Sequence, residues 1–110
     1  YDARLGGVPG IQLNPVQPGV ERNYAYYPVV FDGYKYTRDE VFARLAEENI
    51  VARKYFYPLT NSFECFAGRA GFDPDATPVA KHVADSVLTL PLYADLADED
   101  VERICRIVLS

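Results

Sequence analysis

The sequence predicts an α+β fold in which a small three-stranded sheet has helices packed on one face. Three observations support this prediction. Segments rich in Tyr and Val alternate with amphipathic ones, in the order strand, helix, strand, loop with helix, strand, helix. One element begins with a helix-capping signature, and the last element has apolar residues at helical spacing. The 110 residues, 49% of them hydrophobic, are enough for one modest core.

Three segments have the composition of strands. They are residues 23–31 (NYAYYPVVF), 50–57 (IVARKYFY) and 86–92 (SVLTLPL). Pro28 cannot donate a ladder hydrogen bond, so we expect it at a sheet edge or at a bulge. Pro58 and Pro91 are expected to end the second and third strands. Residues 1–22, rich in Pro and Gly, are expected to be an extended lead-in with turns.

A capping box marks the start of the first helix. Thr37 can accept a hydrogen bond from the backbone of Glu40, whose carboxylate can reach back to the Thr37 backbone. Val41 and Leu45 then share one apolar face. Asn49 is a suitable left-handed residue at the end of this helix.

Two more helices are predicted towards the C-terminus. A short one is expected over residues 79–86. Val101, Ile104, Cys105 and Val108 then recur at positions i, i+3, i+4 and i+7, which predicts an amphipathic helix of about ten residues.

Charge and hydropathy exclude two classes of partner. A net charge of -5 with scattered Lys and Arg argues against nucleic-acid binding, which needs a concentrated basic face. No apolar run approaches the length of a membrane span, and no signal pattern is present at the start. We therefore expect a soluble, cytoplasmic protein that binds neither nucleic acid nor membrane.

The residues alone do not predict an enzyme. The sequence contains no P-loop, GxGxxG or GxSxG motif. His82 is the one histidine, which argues against a zinc site, and we expect it to be a helical surface residue. Cys65 and Cys105 are expected to be small, partly buried hydrophobic residues, although a disulfide stays possible. Lys54 is the one mild candidate for a Schiff-base lysine, but a solvated strand face is favoured. No catalytic, cofactor-binding or metal-binding residue is therefore assigned.

The aromatic segment that precedes Pro58 has two interpretations. Tyr55, Phe56 and Tyr57 would alternate between the two faces of a strand, so one face must point away from the core of so small a sheet. Exposed tyrosines offer an apolar ring and a polar tip to a ligand or to another protein surface. Ordinary sheet packing with a capped edge explains the same residues equally well.

Three segments resemble, in order and spacing, the C-terminal part of the DegT/StrS family of sugar aminotransferases. They are NYAYYPVVF, RDEVFARLAEENIVARKYFYPL and VADSVLTLPLYADLADEDVERI. The resemblance implies the small domain of a fold type I enzyme that uses pyridoxal phosphate (PLP) to move an amino group, typically from glutamate, to a nucleotide-linked keto sugar. It also implies that the cofactor lysine and most phosphate contacts belong to a large N-terminal domain absent from these 110 residues.

The resemblance further implies a substrate wall. Tyr55, Tyr57, Pro58, Leu59 and Thr60 match the stretch at the sugar-binding cleft of the family. Thr60 occupies the place where the family commonly has histidine, which suggests a subgroup with its own sugar preference.

Other positions are implied to be structural. Arg53 matches a basic position on the same strand. Ala97 occupies the place of a helix-capping Thr, which would weaken the last helix by about 1 kcal/mol.

The same resemblance predicts the organisation of the chain. Residues 1–22 would be a lead-in from the missing domain, and residues 23–110 the small domain itself. Alone, this chain would be inactive and would not hold PLP usefully, whereas the parent enzyme would be a homodimer. The abrupt start without Met favours such a fragment over the alternatives, which are a free-standing α+β module that binds a metabolite or regulates, and a structural interaction domain.

Overall fold

The computed structural model describes the backbone of residues 1–110 and every side chain except that of Pro74. The helices are α1 (Asp2–Leu5), α2 (Arg38–Glu47), α3 (Pro78–Ser86) and α4 (Asp98–Leu109), and the strands are β1 (Ile11–Leu13), β2 (Tyr27–Phe31) and β3 (Val87–Leu90). Short 3₁₀ turns interrupt the connection between α2 and α3, at Thr60–Ser62, Glu64–Phe66 and Pro74–Ala76.

The three strands form one antiparallel sheet in the order β1-β2-β3. In its register Val29 of β2 lies opposite Leu88 of β3, and Tyr27 lies opposite Leu90. These four side chains are buried and face the same side of the sheet. The predicted α+β class with a small three-stranded sheet is confirmed.

Helices α2 and α4 cover this apolar face. Val41 and Leu45 of α2 and Val108 of α4 are completely buried, and Ile104 joins them in the same core cluster. Their spacing places one stripe of each helix against the strands. Helices α2 and α4 therefore pack on the same face of the sheet.

The prediction that residues 1–22 are an extended lead-in is wrong at α1, and it did not include the pairing of the extended β1 with the sheet. Helix α1 buries Leu5 completely, and β1 pairs with β2 so that Ile11 lies opposite Phe31. The open edge of β2 offers unpaired backbone groups, and residues 11–13 satisfy them. The interpretation of residues 1–22 as a link to another domain stays a prediction.

The strand predicted over residues 50–57 is also wrong, because this segment pairs with the sheet only where Arg53 bridges Thr89. The next hydrogen-bonded pairs would be Val51 with Pro91 and Tyr55 with Val87. Pro91 has no N–H to donate, and the Val87 N–H already donates to the Val83 carbonyl at the end of α3. Each flanking pair therefore lacks one of its two donors, and the ladder stops at the Arg53–Thr89 bridge.

Pro28 lies in the central strand rather than in an edge strand, which corrects the prediction. Its partner Thr89 directs its own backbone hydrogen bonds to Arg53, so the Pro28–Thr89 pair needs no donor from Pro28. On its other side β1 ends at Leu13, which pairs with Val29. Pro28 thus lies just past the end of β1, where β2 has no neighbour to bond.

The predicted helix signals are confirmed. The Glu40 backbone N–H donates to Thr37 Oγ1 over 3.2 Å, and the Thr37 N–H donates to Glu40 Oε2 over 2.7 Å. Asn49 has a left-handed φ of +60° just after α2. Ala97 is the N-cap of α4 and makes no side-chain capping bond.

No helix among the described residues combines the length and the apolar character that crossing a bilayer requires.

Candidate functional site

The predicted site residues lie on the segment that leaves the sheet at Arg53. Tyr55 is half-buried, Tyr57 is 49% exposed, and Leu59 is half-buried. Pro58 and Thr60 are exposed, and the Tyr57–Pro58 peptide bond is cis. The segment is an irregular connection at the surface, and its aromatic rings are sorted into two separate clusters.

Tyr55 belongs to the first cluster, a stack of three rings. Its centroid lies 4.1 Å from that of Phe56 and 4.8 Å from that of Tyr26. Phe56 is 73% exposed and Tyr26 is 50% exposed, so the stack presents aromatic faces to solvent. Tyr55 and Tyr26 also line an open groove of about 510 Å³ beside Pro28. Such rings suit contact with an apolar or ring-shaped partner.

Tyr57 belongs to the second cluster, which is cationic. The Arg38 guanidinium carbon lies 4.6 Å from the Tyr57 ring centroid, and Lys54 Nζ lies 5.7 Å from it. Both distances allow attraction between a cation and the ring quadrupole. About half of Tyr57 stays open to solvent, so its ring rests on the protein and still offers a surface outwards.

Asp39 joins the two cations of this cluster. Its Oδ1 lies 2.6 Å from Arg38 Nε and 2.6 Å from Lys54 Nζ. The contact with Arg38 is a close ion pair without the geometry of a hydrogen bond. The hydrogen bond from Lys54, together with the Arg38 charge, lowers the pKa of the Asp39 carboxyl. Asp39 therefore stays ionised and holds both cations.

Arg38 is the buried member of the cluster, at 3% exposure. Its Nη1 donates to the Ala84 carbonyl over 2.9 Å, in the last turn of α3. Carbonyls of a last turn lack helical partners, so the guanidinium supplies one. Arg38 thereby joins the start of α2, the end of α3 and the Tyr57 ring.

Leu59 and Thr60 form a turn at the end of the segment. The Leu59 carbonyl accepts from the Ser62 N–H over 2.9 Å and from the Ser62 hydroxyl over 2.6 Å. The Thr60 carbonyl accepts from the Phe63 N–H over 3.2 Å. The five predicted residues are thus contiguous along the surface, but Tyr55 and Tyr57 belong to different clusters.

Sequence reasoning missed Arg38, Asp39 and Tyr26 as neighbours of the segment. The expectation that Lys54 has a solvated strand face is wrong, since its side chain is only 29% exposed and its Nζ lies 4.9 Å from the Phe42 ring centroid. The sequence gives only their position, since Arg38 and Asp39 lie between the capping-box residues Thr37 and Glu40.

A further group of aromatic rings, separate from both clusters, lies on the connection between α2 and α3. The rings of Phe66 and Phe72 stack at 4.4 Å, and Phe63 lies 6.5 Å from Phe66. Asn61 Nδ2 closes this loop by donating to the Asp73 carbonyl over 3.1 Å. The stack gives a long connection its own small packed unit.

The remaining candidates lie elsewhere. His82, on α3, is exposed and lies 3.3 Å from Asp32 Oδ2. Cys105 is buried in the core more completely than predicted, and its burial raises the pKa of its thiol. Cys65 is exposed, contrary to the expectation of partial burial, and both cysteines are free.

Comparison with known proteins gives the family. The model of the DegT/DnrJ/EryC1/StrS aminotransferase family matches residues 1–109. The chain therefore belongs to this family. Aminotransferases of this family depend on PLP.

Three relatives illustrate the similarity. The chain is 39% identical to a dTDP-4-amino-4,6-dideoxy-D-glucose transaminase of Escherichia coli, over 100% of this chain and 30% of that protein. It is 33% identical to a transaminase of the same description from Shigella dysenteriae, over 94% of this chain and 28% of that protein. The crystal structure of the aminotransferase TlmJ from Streptoalloteichus hindustanus matches 98% of this chain and 28% of its own, with a TM-score of 0.79 and 28% identity. The chain thus spans about 30% of the length of the curated relatives.

The three lysines of this chain all have oxygen partners. A lysine that forms an imine with PLP needs a lowered pKa, from burial or a neighbouring cation. Here Asp75 raises the pKa of Lys81 through a hydrogen bond, and Lys54 is paired with Asp39. Lys35 donates to the carbonyls of Leu109 and Ser110. All three are described, and each ammonium lies within ion-pair or hydrogen-bond distance of at least one oxygen.

Proposed function

We propose that this chain is the C-terminal small domain of a cytoplasmic sugar aminotransferase. The whole enzyme transfers an amino group from glutamate to a nucleotide-linked keto sugar, and PLP supplies the electron sink for this chemistry. The observation that carries the proposal is the similarity of the complete chain to a sugar transaminase at 39% identity. The cofactor is held by residues outside this chain, consistent with the paired state of its three lysines.

The role of this chain is to wall the substrate cleft. The wall consists of Tyr55, Tyr57, Pro58, Leu59 and Thr60. Tyr57 supports this role best, because about half of its surface is open while its ring rests on Arg38. A sugar ring presents C–H groups and hydroxyls, and a tyrosine offers a flat apolar face with a polar tip to both. Thr60 provides a hydroxyl where the family commonly has an imidazole.

A large N-terminal domain is the proposed partner of the apolar surface beside this wall. Two open grooves, of about 320 and 380 Å³, share Val51, Pro91 and Tyr93 in their lining. Val51 is 81% exposed and Tyr93 is 60% exposed, and Phe56 adds a further exposed ring. Clustered apolar residues at a surface commonly mark an interaction site. In the proposed parent, residues 1–22 lead in from that domain, residues 23–110 form the small domain, and two copies form a homodimer.

The substrate wall is tested in the full-length enzyme by Tyr57→Ala. We expect the KM for the keto sugar to rise about three- to tenfold, because a ring that contacts the ground state and the transition state equally contributes to binding alone. The matched control is Tyr36→Ala, which removes another tyrosine that lies under an arginine, 4.4 Å from the guanidinium carbon of Arg44. Unchanged kinetic constants for Tyr57→Ala would refute the wall.

The division of labour is tested with the chain alone. PLP is added to the 110-residue chain, followed by borohydride, and mass spectrometry locates any lysine adduct. We expect no stoichiometric adduct at any one lysine, because each ammonium group already has an oxygen partner. A stoichiometric adduct at one lysine would show that this chain holds the cofactor by itself.

The domain surface is tested by Val51→Asp, with Val79→Asp as control. Both side chains are strongly exposed, at 81% and 76%, but Val79 lies on α3 and lines neither groove. We expect only Val51→Asp to weaken association of this chain with the separately expressed N-terminal domain, measured by calorimetry. Equal affinities for the two variants would place the interface elsewhere.

A further inference from the structure

The Tyr57 ring of the proposed wall is supported from below by a residue to which the family similarity gives no role. Tyr57 lies beyond the single bridge at Arg53, on an irregular segment. Such a segment fixes a side chain poorly unless another part of the fold supports it. The support here comes from Arg38, which begins α2 and is nearly completely buried.

The Arg38 guanidinium is itself immobilised by two helices. The residue occupies the first position of α2, immediately after the N-cap Thr37. Its Nη1 donates to the Ala84 carbonyl over 2.9 Å. The planar group is thereby held near the Tyr57 ring, with 4.6 Å between guanidinium carbon and centroid. Planarity favours this contact over that of an ammonium group.

A second cation, Lys54, also contacts the Tyr57 ring and restricts its position. Lys54 Nζ lies 5.7 Å from the Tyr57 centroid and is fixed by Asp39, which also pairs with Arg38. The ion pair of Asp39 with Lys54 therefore links the first turn of α2 to the site segment, three residues before Tyr57. The ring is flanked by two cations that share one carboxylate.

We infer that Arg38, tied through Asp39 to Lys54, is a positioning residue that sets the Tyr57 ring and thereby the sugar selectivity of the enzyme. This inference rests on the proposed function, in which Tyr57 contacts the sugar. Arg38 itself is only 3% exposed, so in this proposal it acts through the Tyr57 ring and not by contact with the sugar. Its effect reaches the cleft through the placement of the ring.

The first experiment reports on the ring without any substrate. The sequence contains no Trp, so Tyr57→Trp gives the 110-residue chain a single tryptophan fluorophore. In this background we compare acrylamide quenching for Arg38→Lys, Arg38→Met and Asp39→Asn, with far-UV circular dichroism to verify the fold. We expect quenching to increase in all three, most in Arg38→Met.

The matched control is Arg44→Met in the same background. Arg44 also lies on α2, and its guanidinium carbon is 4.4 Å from the ring of Tyr36, so the variant removes an equivalent contact away from Tyr57. Quenching of the tryptophan fluorescence is expected to stay unchanged in this control. Substitution of the buried Arg38 could unfold the chain. Asp39 is 61% exposed, so we expect Asp39→Asn to leave the chain folded and to provide the test in that case. Unchanged quenching in every folded Arg38 and Asp39 variant overturns the inference.

The second experiment measures selectivity in the full-length enzyme that holds Tyr57. We expect Arg38→Lys to raise the KM for the keto sugar about three- to tenfold at unchanged kcat, and to alter the ratio of kcat/KM for two nucleotide-linked keto sugars that differ in one ring substituent. A purely structural role would lower the yield of folded enzyme and kcat without changing that ratio.

The outcomes separate the two proposals. If Tyr57→Ala raises KM and Arg38→Lys does not, the positioning role fails and the wall stands. If quenching of the single tryptophan changes as expected but Tyr57→Ala leaves KM unchanged, the wall fails and only the placement of the ring by Arg38 stands.

Discussion

Arg53 and Thr89 exchange two backbone hydrogen bonds, with N···O distances of 3.0 and 2.8 Å. This pair is the one point where the site segment joins the sheet. Thr89 lies in the register opposite Pro28, which needs no bond from it. Because Thr89 gives its backbone hydrogen bonds to Arg53, β2 can have a proline opposite Thr89, and the site segment gains its bridge to the sheet from the same residue.

Amide hydrogen exchange should reveal this single anchor. We expect the amides of Arg53 and Thr89 to exchange slowly, at rates set by opening of the sheet, and those of Val51 and Tyr55 to exchange much faster. The reason is that neither Val51 nor Tyr55 forms a ladder pair with the sheet. NMR-detected exchange measures all four amides in one sample, with Leu88 as a protected reference. Similar slow rates at Val51 and Tyr55 would contradict the bridge and indicate a complete fourth strand.

Local signals predicted most of this fold. The capping box at Thr37, the left-handed Asn49 and the spacing of Ile104 and Val108 act within one or two turns, so the sequence displays them directly. The prediction of a strand over residues 50–57 was wrong because the composition of the segment suits a strand, whereas the sheet residues opposite it lack free N–H donors. Those donors are lost at Pro91 and at the end of α3, both far from the segment along the chain.

The site was predicted less completely, for a related physical reason. The aromatic residues around Tyr57 are adjacent in the sequence, so the composition of this segment alone indicates a candidate binding surface. Arg38 and Asp39 lie on another element, in the first turn of α2, where the sequence pattern shows only the capping box of Thr37 and Glu40. Nothing in a linear pattern shows that a helix start folds beneath a loop that follows the same helix.

The segment before β2 should prove essential to stability. We expect Leu5→Ala to lower the free energy of unfolding by about 2–5 kcal/mol, as expected for a fully buried leucine, and Leu45→Ala in α2 to have a similar effect. Urea denaturation of the 110-residue chain followed by circular dichroism measures both. Gln17→Ala, at an exposed position of the same lead-in, is the control and should change stability little. A negligible effect of Leu5→Ala would show that residues 1–22 are a dispensable link.

The N-cap of α4 should be improvable. Ala97 has φ -69° and ψ 147°, the extended backbone that a capping residue adopts, and it lacks a side-chain acceptor for the exposed N–H groups. We expect Ala97→Ser to raise the free energy of unfolding by about 0.5–1 kcal/mol, and Thr37→Ala to lower it by about 1 kcal/mol. Chemical denaturation measures the two changes on one scale. A loss of stability in Ala97→Ser would mean that the serine hydroxyl does not reach the first turn of α4.

The link between Asp39 and the two cations should appear as a pH dependence of stability. The pKa of Asp39 is lowered in the folded chain, mainly by the hydrogen bond from Lys54, so the folded state binds the proton more weakly than the unfolded state. The stabilisation from this carboxylate is therefore present above the unfolded pKa of about 3.9 and is lost as the pH falls through the folded pKa. We expect Asp39→Asn to be less stable than the original chain at about pH 6, and the difference to shrink towards about pH 2–3. The difference should be modest, because Asp39 is 61% exposed and water screens its charge. Asp95→Asn, on the loop before α4, provides the comparison for an exposed carboxylate. A stability difference between Asp39→Asn and the original chain that is independent of pH would show that the carboxylate does not hold Arg38 and Lys54 by its charge.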